Sequence, residues 1–229
     1  MARIAKGRDR VLTRAEIATE ALRQFDKSRE TPSIRALAAA LGVAPSAIYH
    51  HYESQTAIVQ AATELVWEEV ARDLLAAIPE PSGTDPVEVL VTAGVVIRRT
   101  FDRHYRIAPF IATSPEANDF MNGLLSVHGV VFERLGLKKD DAAVAYYAYS
   151  SFVIGAVLFS ATRRIASEQL GISRKPSRGR PGRVHRAGDE AREALEDAID
   201  LPARDPALGD ELFATGLRRL VRSFVAGPP

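Results

Sequence analysis

Residues 33–58 read SIRALAAALGVAPSAIYHHYESQTAI. Two short apolar-periodic segments, Ile34 to Leu41 and Pro45 to Tyr49, are joined through Gly42-Val43, and glycine is the residue that reverses a chain at positive φ without a Cβ clash. Ile34, Leu37, Ala38 and Leu41 fall at the three-and-four spacing of one helical face, and Val43 and Ile48 close the same small core from the turn and the second helix. Ser33 suits the cap of the first helix, and Pro45 suits the first turn of the second, where its missing N–H costs nothing. This is the pattern of a helix-turn-helix. It leaves Ser46, Ala47, Tyr49 and His50 on the outer side of its second helix, small and hydrogen-bonding groups of the kind that enter a DNA major groove.

Working outward, Thr13-Arg-Ala-Glu16 is a capping box that starts a helix running to about Asp26, with Ile17, Ala21, Leu22 and Phe25 inward. Ser54 opens a long helix that lasts to Ile78 and is stopped by Pro79. The order of hydrophobic helix, Gly-Val turn, Pro-Ser-Ala-Ile-Tyr-His-His-Tyr and Ser-capped helix resembles the amino-terminal domain of TetR-type transcriptional regulators. Leu37-Ala38, Gly42-Val43, Tyr49, Tyr52 and Ser54 match that family's pattern, whereas Gln55 stands where lysine is usual and Ala44 where a capping Ser or Thr is common. An uncharged Gln55 weakens both affinity for phosphate and its salt dependence. The resemblance implies that Ser33, Tyr49, His50, Tyr52 and Gln55 hold phosphates while Ala44, Pro45, Ser46 and Ala47 face bases.

The chain has 229 residues and a formal net charge of +1, so any DNA contact must come from placed rather than average charge. Arg3, Lys6, Arg8, Arg10 and Arg14 supply a basic arm before the first helix. The sequence holds no cysteine, which excludes disulfides and thiolate metal sites and fits a reducing cytoplasm. No apolar run follows the basic start, so a signal peptide is not expected. The uncharged run Ala142 to Thr162 is long enough to span a bilayer, but its serines and tyrosines point instead to a bundle core or a dimer interface, and no membrane partner is expected.

The expected fold class is all-α: a three-helix DNA-binding domain over 1–53 and a helical bundle for ligand binding and dimerisation over 54–229. Helices are expected at Val87 to His104, Glu116 to Leu135, from Asp140 to about Arg164, at Asp189 to Ile199 and at Pro206 to Val225, with a loop and short helix at Ile107 to Pro115. Residues 173–188 (SRKPSRGRPGRVHRAG) cannot bury apolar area and read as a disordered loop. Its Arg178 to Pro181 resembles a minor-groove AT-hook. Tyr149, Phe152, Ala156 and Phe159 repeat at four and three, a seam expected to serve the dimer, and the resemblance implies further dimer contacts from Phe213, Leu217, Leu220 and Phe224 of the last helix.

No catalytic signature and no cofactor- or metal-binding motif is present, and none of the five histidines is paired at a ligand spacing. The resemblance implies a small-molecule cavity in the second domain, for which Phe101, Phe110, Met121, Leu125, His128, Phe132, Tyr147 and Ser151 are the candidates. His128 is the sharpest, because a buried imidazole needs a partner. The expected protein is a homodimeric, cytoplasmic regulator, a repressor that binds a near-palindromic duplex operator and is released by a small apolar or amphipathic effector. A ligand-insensitive architectural DNA binder and an enzyme built in a helical bundle are the rival readings.

Overall fold

The computed structural model describes residues 12–28, 30–113, 119–171 and 206–225, and these are α-helical with no strand. The basic arm over 1–11, the Arg-rich segment 173–188 and the helix expected at Asp189 to Ile199 lie outside the described residues.

Helix α1, Arg14–Lys27, begins as its capping box requires: the Glu16 amide donates to Thr13 Oγ1 at 3.2 Å and the Thr13 amide to Glu16 Oε2 at 3.0 Å. Helix α2, Ile34–Leu41, is capped by Ser33, whose Oγ accepts from the Ala36 amide at 3.1 Å. It ends on Gly42 at φ 69°, so that the Val43 amide reaches Ala38 O at 3.0 Å. Helix α3, Pro45–Tyr49, has no side-chain cap from Ala44. Ile17, Leu37 and Ile48 are fully buried and lock the three helices together.

Helix α4, Gln55–Ala77, packs against α1 with its first half and against α5, Pro86–Arg103, with its second. Its buried face carries Ile58, Ala62, Val66, Trp67 and Val70, one unbroken stripe that joins both halves of the molecule into a continuous apolar core. Helix α5 is the centre of the bundle and touches α4, α6 (Asp119–Arg134), α7 (Lys139–Leu170) and α8 (Pro206–Ser223). A short 3₁₀ helix, Ala108–Thr113, fills the expected position between α5 and α6.

Two features depart from the sequence reading. Arg163 and Arg164 do not end α7, which runs on to Leu170 and stops at Gly171, φ 62°. The extra turns are held from the side: Arg164 Nη1 donates to Asp102 O at 2.8 Å and its guanidinium lies 3.9 Å above the Tyr105 ring, while Arg106 Nη2 bonds Glu168 at 2.8 Å. Nor is α7 buried all round. Its inner stripe is Ala145, Tyr149, Val153, Val157 and Ala161, stepping by four, so Phe152, Ala156 and Phe159 drift off the core onto its flank. By length and composition α7 could cross a membrane, and Val144 and Tyr147 on its outer side are largely exposed.

Helix α8 is fastened to α5 by packing and charge together. Gly94 leaves room for Leu217, and a Cβ there would lie 2.4 Å from Leu217 Cδ2. One turn on, the buried Arg98 donates to Gly209 O at 2.8 Å, pairs with Asp210 at 3.1 Å and lies over the Phe213 ring.

Candidate nucleic-acid interface and buried polar groups

The outer side of α3 is exposed and uncharged. Ala44, Pro45, Ser46 and His50 are exposed, Tyr49 is 56 % exposed, and Ala47 is half-buried beside the inward Ile48. Two cationic groups belong to the same three helices: Arg35 is exposed on α2, and Arg14, at the start of α1, reaches the end of α3 at His51 O. Ser33 is exposed, and although its Oγ caps α2, its hydroxyl proton is not spent in that bond.

Tyr52 is the correction. Expected to hold phosphate, it is 3 % exposed, its hydroxyl donates to Arg14 O at 3.0 Å, and the Arg14 guanidinium lies 4.1 Å over its ring. Burial pushes its phenol pKa up. Arg14 in turn donates to His51 O, so the residue pair ties the start of α1 to the end of α3. The sequence showed Arg14 only as part of a basic arm, and the contact that gives it a second role spans 37 residues. Gln55 is exposed but partly committed, its Nε2 donating to Pro32 O at 2.8 Å. That bond pins the first residue of α4 to the turn before α2.

The candidate cavity residues of the second domain do not converge on one site, although His128 and Phe132 meet. Phe101 and Phe132 are buried, Phe101 edge-on to Trp67 at 4.9 Å. Phe110 is half-buried on the 3₁₀ helix, edge-on to Phe25 at 5.5 Å. Leu125, Tyr147 and Ser151 are exposed and face away from the bundle, because inward positions on α6 and α7 fall at His128 and at Tyr149 instead. The side chain of Met121 lies outside the described residues. Two clefts that share Phe110 lie next to the seam between the first three helices and the bundle: one of about 290 Å³ lined by Thr31, Gln55, Val59 and Thr63, the other of about 210 Å³ lined by Phe25, Arg106 and Glu168.

His128 is 4 % exposed and sits against Phe132, Tyr146 and Tyr149, with ring centroids 5.1 to 6.0 Å away. Its Nδ1 lies 2.7 Å from Leu124 O, a carbonyl that only accepts, so Nδ1 carries the proton. Its Nε2 is buried without a hydrogen-bond partner. Burial lowers the imidazole pKa, against the opposing pull of the Leu124 bond.

Of the expected dimer residues, Tyr149 and Leu217 belong to the monomer's own core. Tyr149 is 2 % exposed and donates to Leu90 O at 2.9 Å, and Leu217 is fully buried under Gly94. Phe213 is buried against Phe152 at 5.4 Å, and Phe224 is half-buried over Phe132. Phe152 and Phe159 stay exposed, with Ala156 and Leu220 half-buried beside them.

A polar network crosses the seam between the first three helices and the bundle. His104, the cap of α5, faces Asp26 of α1 with Nδ1 and Glu69 of α4 with Nε2. Arg106 donates to Asp26 O at 2.9 Å, and Arg103 to Glu69 and Asp73. Burial pushes Glu69 up, yet the Arg103 and His104 bonds hold its carboxyl below the usual range.

Comparison with known proteins fits this arrangement. Residues 17–62 match the family described as bacterial regulatory proteins, tetR family. No curated protein matches the sequence. Among solved structures, the fold is shared with the Streptomyces coelicolor regulator SCO7222 at TM-score 0.65 and 18 % identity, over 94 % of this chain and 98 % of that one. The Streptomyces coelicolor protein ActR in complex with actinorhodin matches at 0.65 and 22 %, over 98 % of each chain. A TetR variant from Acinetobacter baumannii AYE in complex with minocycline matches at 0.64 and 18 %, over 95 % and 97 %.

Proposed function

We propose that this chain, whose residues 17–62 match the tetR family of bacterial regulatory proteins and whose all-helical fold is shared with solved regulators, is a dimeric transcriptional repressor of a near-palindromic operator, released by a small apolar or amphipathic effector. The observation that carries this reading is the outer side of α3. Ala44, Pro45, Ser46, Tyr49 and His50 are exposed and carry no negative charge that would repel phosphate.

Ser33, Tyr49, His50 and the free amide proton of Gln55 contact phosphate in this reading, while Ala44 to Ala47 reach base edges. The amides that open α2 and α4 add to the anion-binding surface. One five-residue helix reads few bases, so a twofold pair reading two half-sites supplies the specificity. The exposed Phe152 and Phe159 on α7, with the half-buried Ala156, Leu220 and Phe224, are the apolar surface on which a second copy packs. The division is 1–53 for DNA and 54–229 for effector and dimer, with α4 carrying the change of state between them. Such a protein works at the chromosome, in the bacterial cytoplasm, and as a sensor rather than an enzyme.

Selection of duplexes from a random pool by the full chain, followed by mobility shift over a salt series, tests the proposal. A twofold-symmetric enriched sequence, bound with an affinity that falls steeply with salt, is expected. No enriched sequence, or binding insensitive to salt, would remove the reading.

A further inference from the structure

His128 is the one described side chain whose buried polar atom is left without a partner. Leaving a buried nitrogen lone pair unpaired is destabilising, whereas an apolar residue of the same shape would carry no such cost. The local geometry defines what would satisfy it. Nδ1 is held as N–H by Leu124 O at 2.7 Å, so Nε2 is an acceptor and nothing else. Burial holds the ring neutral, and burial likewise pushes the phenols of Tyr146 and Tyr149 up, so all three stay uncharged. The Tyr149 hydroxyl is spent on Leu90 O and cannot turn to the imidazole. The rings of Phe132 and Tyr146 pack against the imidazole from two further sides.

Resting on the regulator reading above, the geometry points to His128 Nε2 as the hydrogen-bond acceptor of the effector site, which takes a neutral, aromatic molecule bearing a hydroxyl or similar donor. An anion is disfavoured, because the acceptor lone pair of Nε2 repels it and the rings packed against the imidazole carry no charge. A ligand with only carbonyl or ether oxygens leaves two acceptors facing each other. Discrimination of this kind is strong, because a site built around a buried polar atom rejects the analogue that cannot pair with it.

Phenol and anisole, which differ by the donor proton, are the probes, titrated into the full chain with binding read from thermal unfolding and from the ¹⁵N resonance of His128 Nε2. Phenol is expected to raise Tm and shift that resonance, with anisole about tenfold or more weaker and benzoate without effect. His128→Leu is expected to keep or raise the Tm of the unliganded protein while losing the phenol response, and His128→Asn, which restores an acceptor, to recover part of it. Equal binding of phenol and anisole, no phenol binding, or an undiminished response in His128→Leu would overturn the inference. Operator binding measured on the same samples separates the two claims: discrimination without operator binding sinks the regulator reading alone, and operator binding without discrimination sinks only the role of His128.

Discussion

Asp26, near the end of α1, and His104, the residue that caps α5, meet across the seam between the first three helices and the bundle with Oδ1 and Nδ1 3.0 Å apart. The pair is partly shielded, His104 with 14 % and Asp26 with 34 % of its side chain exposed. A double-mutant cycle on Asp26→Asn and His104→Ala, followed by urea unfolding, should therefore return a coupling energy of about 1 kcal/mol. A value near zero would mean that the seam is held by packing and by Arg106 alone.

Tyr49 and Tyr52, three residues apart, should respond oppositely to the same change. Tyr52→Phe removes the bond to Arg14 O and is expected to lower stability by about 1 kcal/mol. Tyr49→Phe touches an exposed hydroxyl and should leave stability unchanged while weakening operator binding by a few-fold at low salt. Loss of operator affinity in Tyr52→Phe without any loss of stability would restore Tyr52 to the phosphate-binding set.

Gly94→Ala sets two effects against each other. Alanine gains up to about 1 kcal/mol of helix propensity over glycine, but its Cβ would lie 2.4 Å from Leu217 Cδ2 and 3.2 Å from Val153 Cγ2, both fully packed. Overpacking of that kind costs about 1–3 kcal/mol, so the net change is a lower Tm. In a Leu217→Ala background the same substitution should cost less, since only the milder contact with Val153 remains tight, which calorimetry can check.

Acid should weaken the join between α5 and α8. The Arg218 bonds to Glu88, at 2.6 and 2.8 Å, hold the Glu88 carboxyl below its usual pKa. With the folded pKa below the unfolded one, the pair's contribution is full above the unfolded value, roughly 4.3, and is lost as pH falls through the folded value. Both side chains are about one-third exposed, so the effect at pH 7 is below about 1 kcal/mol. Glu88→Gln should be slightly less stable than the parent at pH 7 and equal to it near pH 3 in chemical unfolding.

What the sequence made legible was local. The caps Thr13, Ser33, Ser54 and Gly42 act within four residues of themselves, so α1, α2, α3 and α4 could be placed almost to the residue. Contacts over long separations were not legible in the same way. Arg98 and Gly209 are 111 residues apart, and nothing in the pattern of α5 marks an arginine as core. Tyr52 lay inside the matching motif yet turned inward, because the motif records spacing and not which side of the turn the small core needs. On α7 the sequence permitted two stripes, and packing against α5 and α8 selected Val153 and Val157 over Phe152 and Ala156. Of the cavity candidates, His128 was readable because its chemistry is conspicuous on an apolar face, while Leu125, Tyr147 and Ser151 depended on a helical phase that only neighbouring helices fix.

Helix α4 has 23 residues with no glycine or proline to bend it. At about 1.5 Å of rise per residue it is a rod of about 35 Å, and pivoting such a rod by about 5° sweeps its tip through about 3 Å. That sweep is close to the roughly 3.4 Å step between successive bases on one DNA strand. In the proposed regulator, a tilt of about that size is enough to put the DNA-reading head one rung out of register.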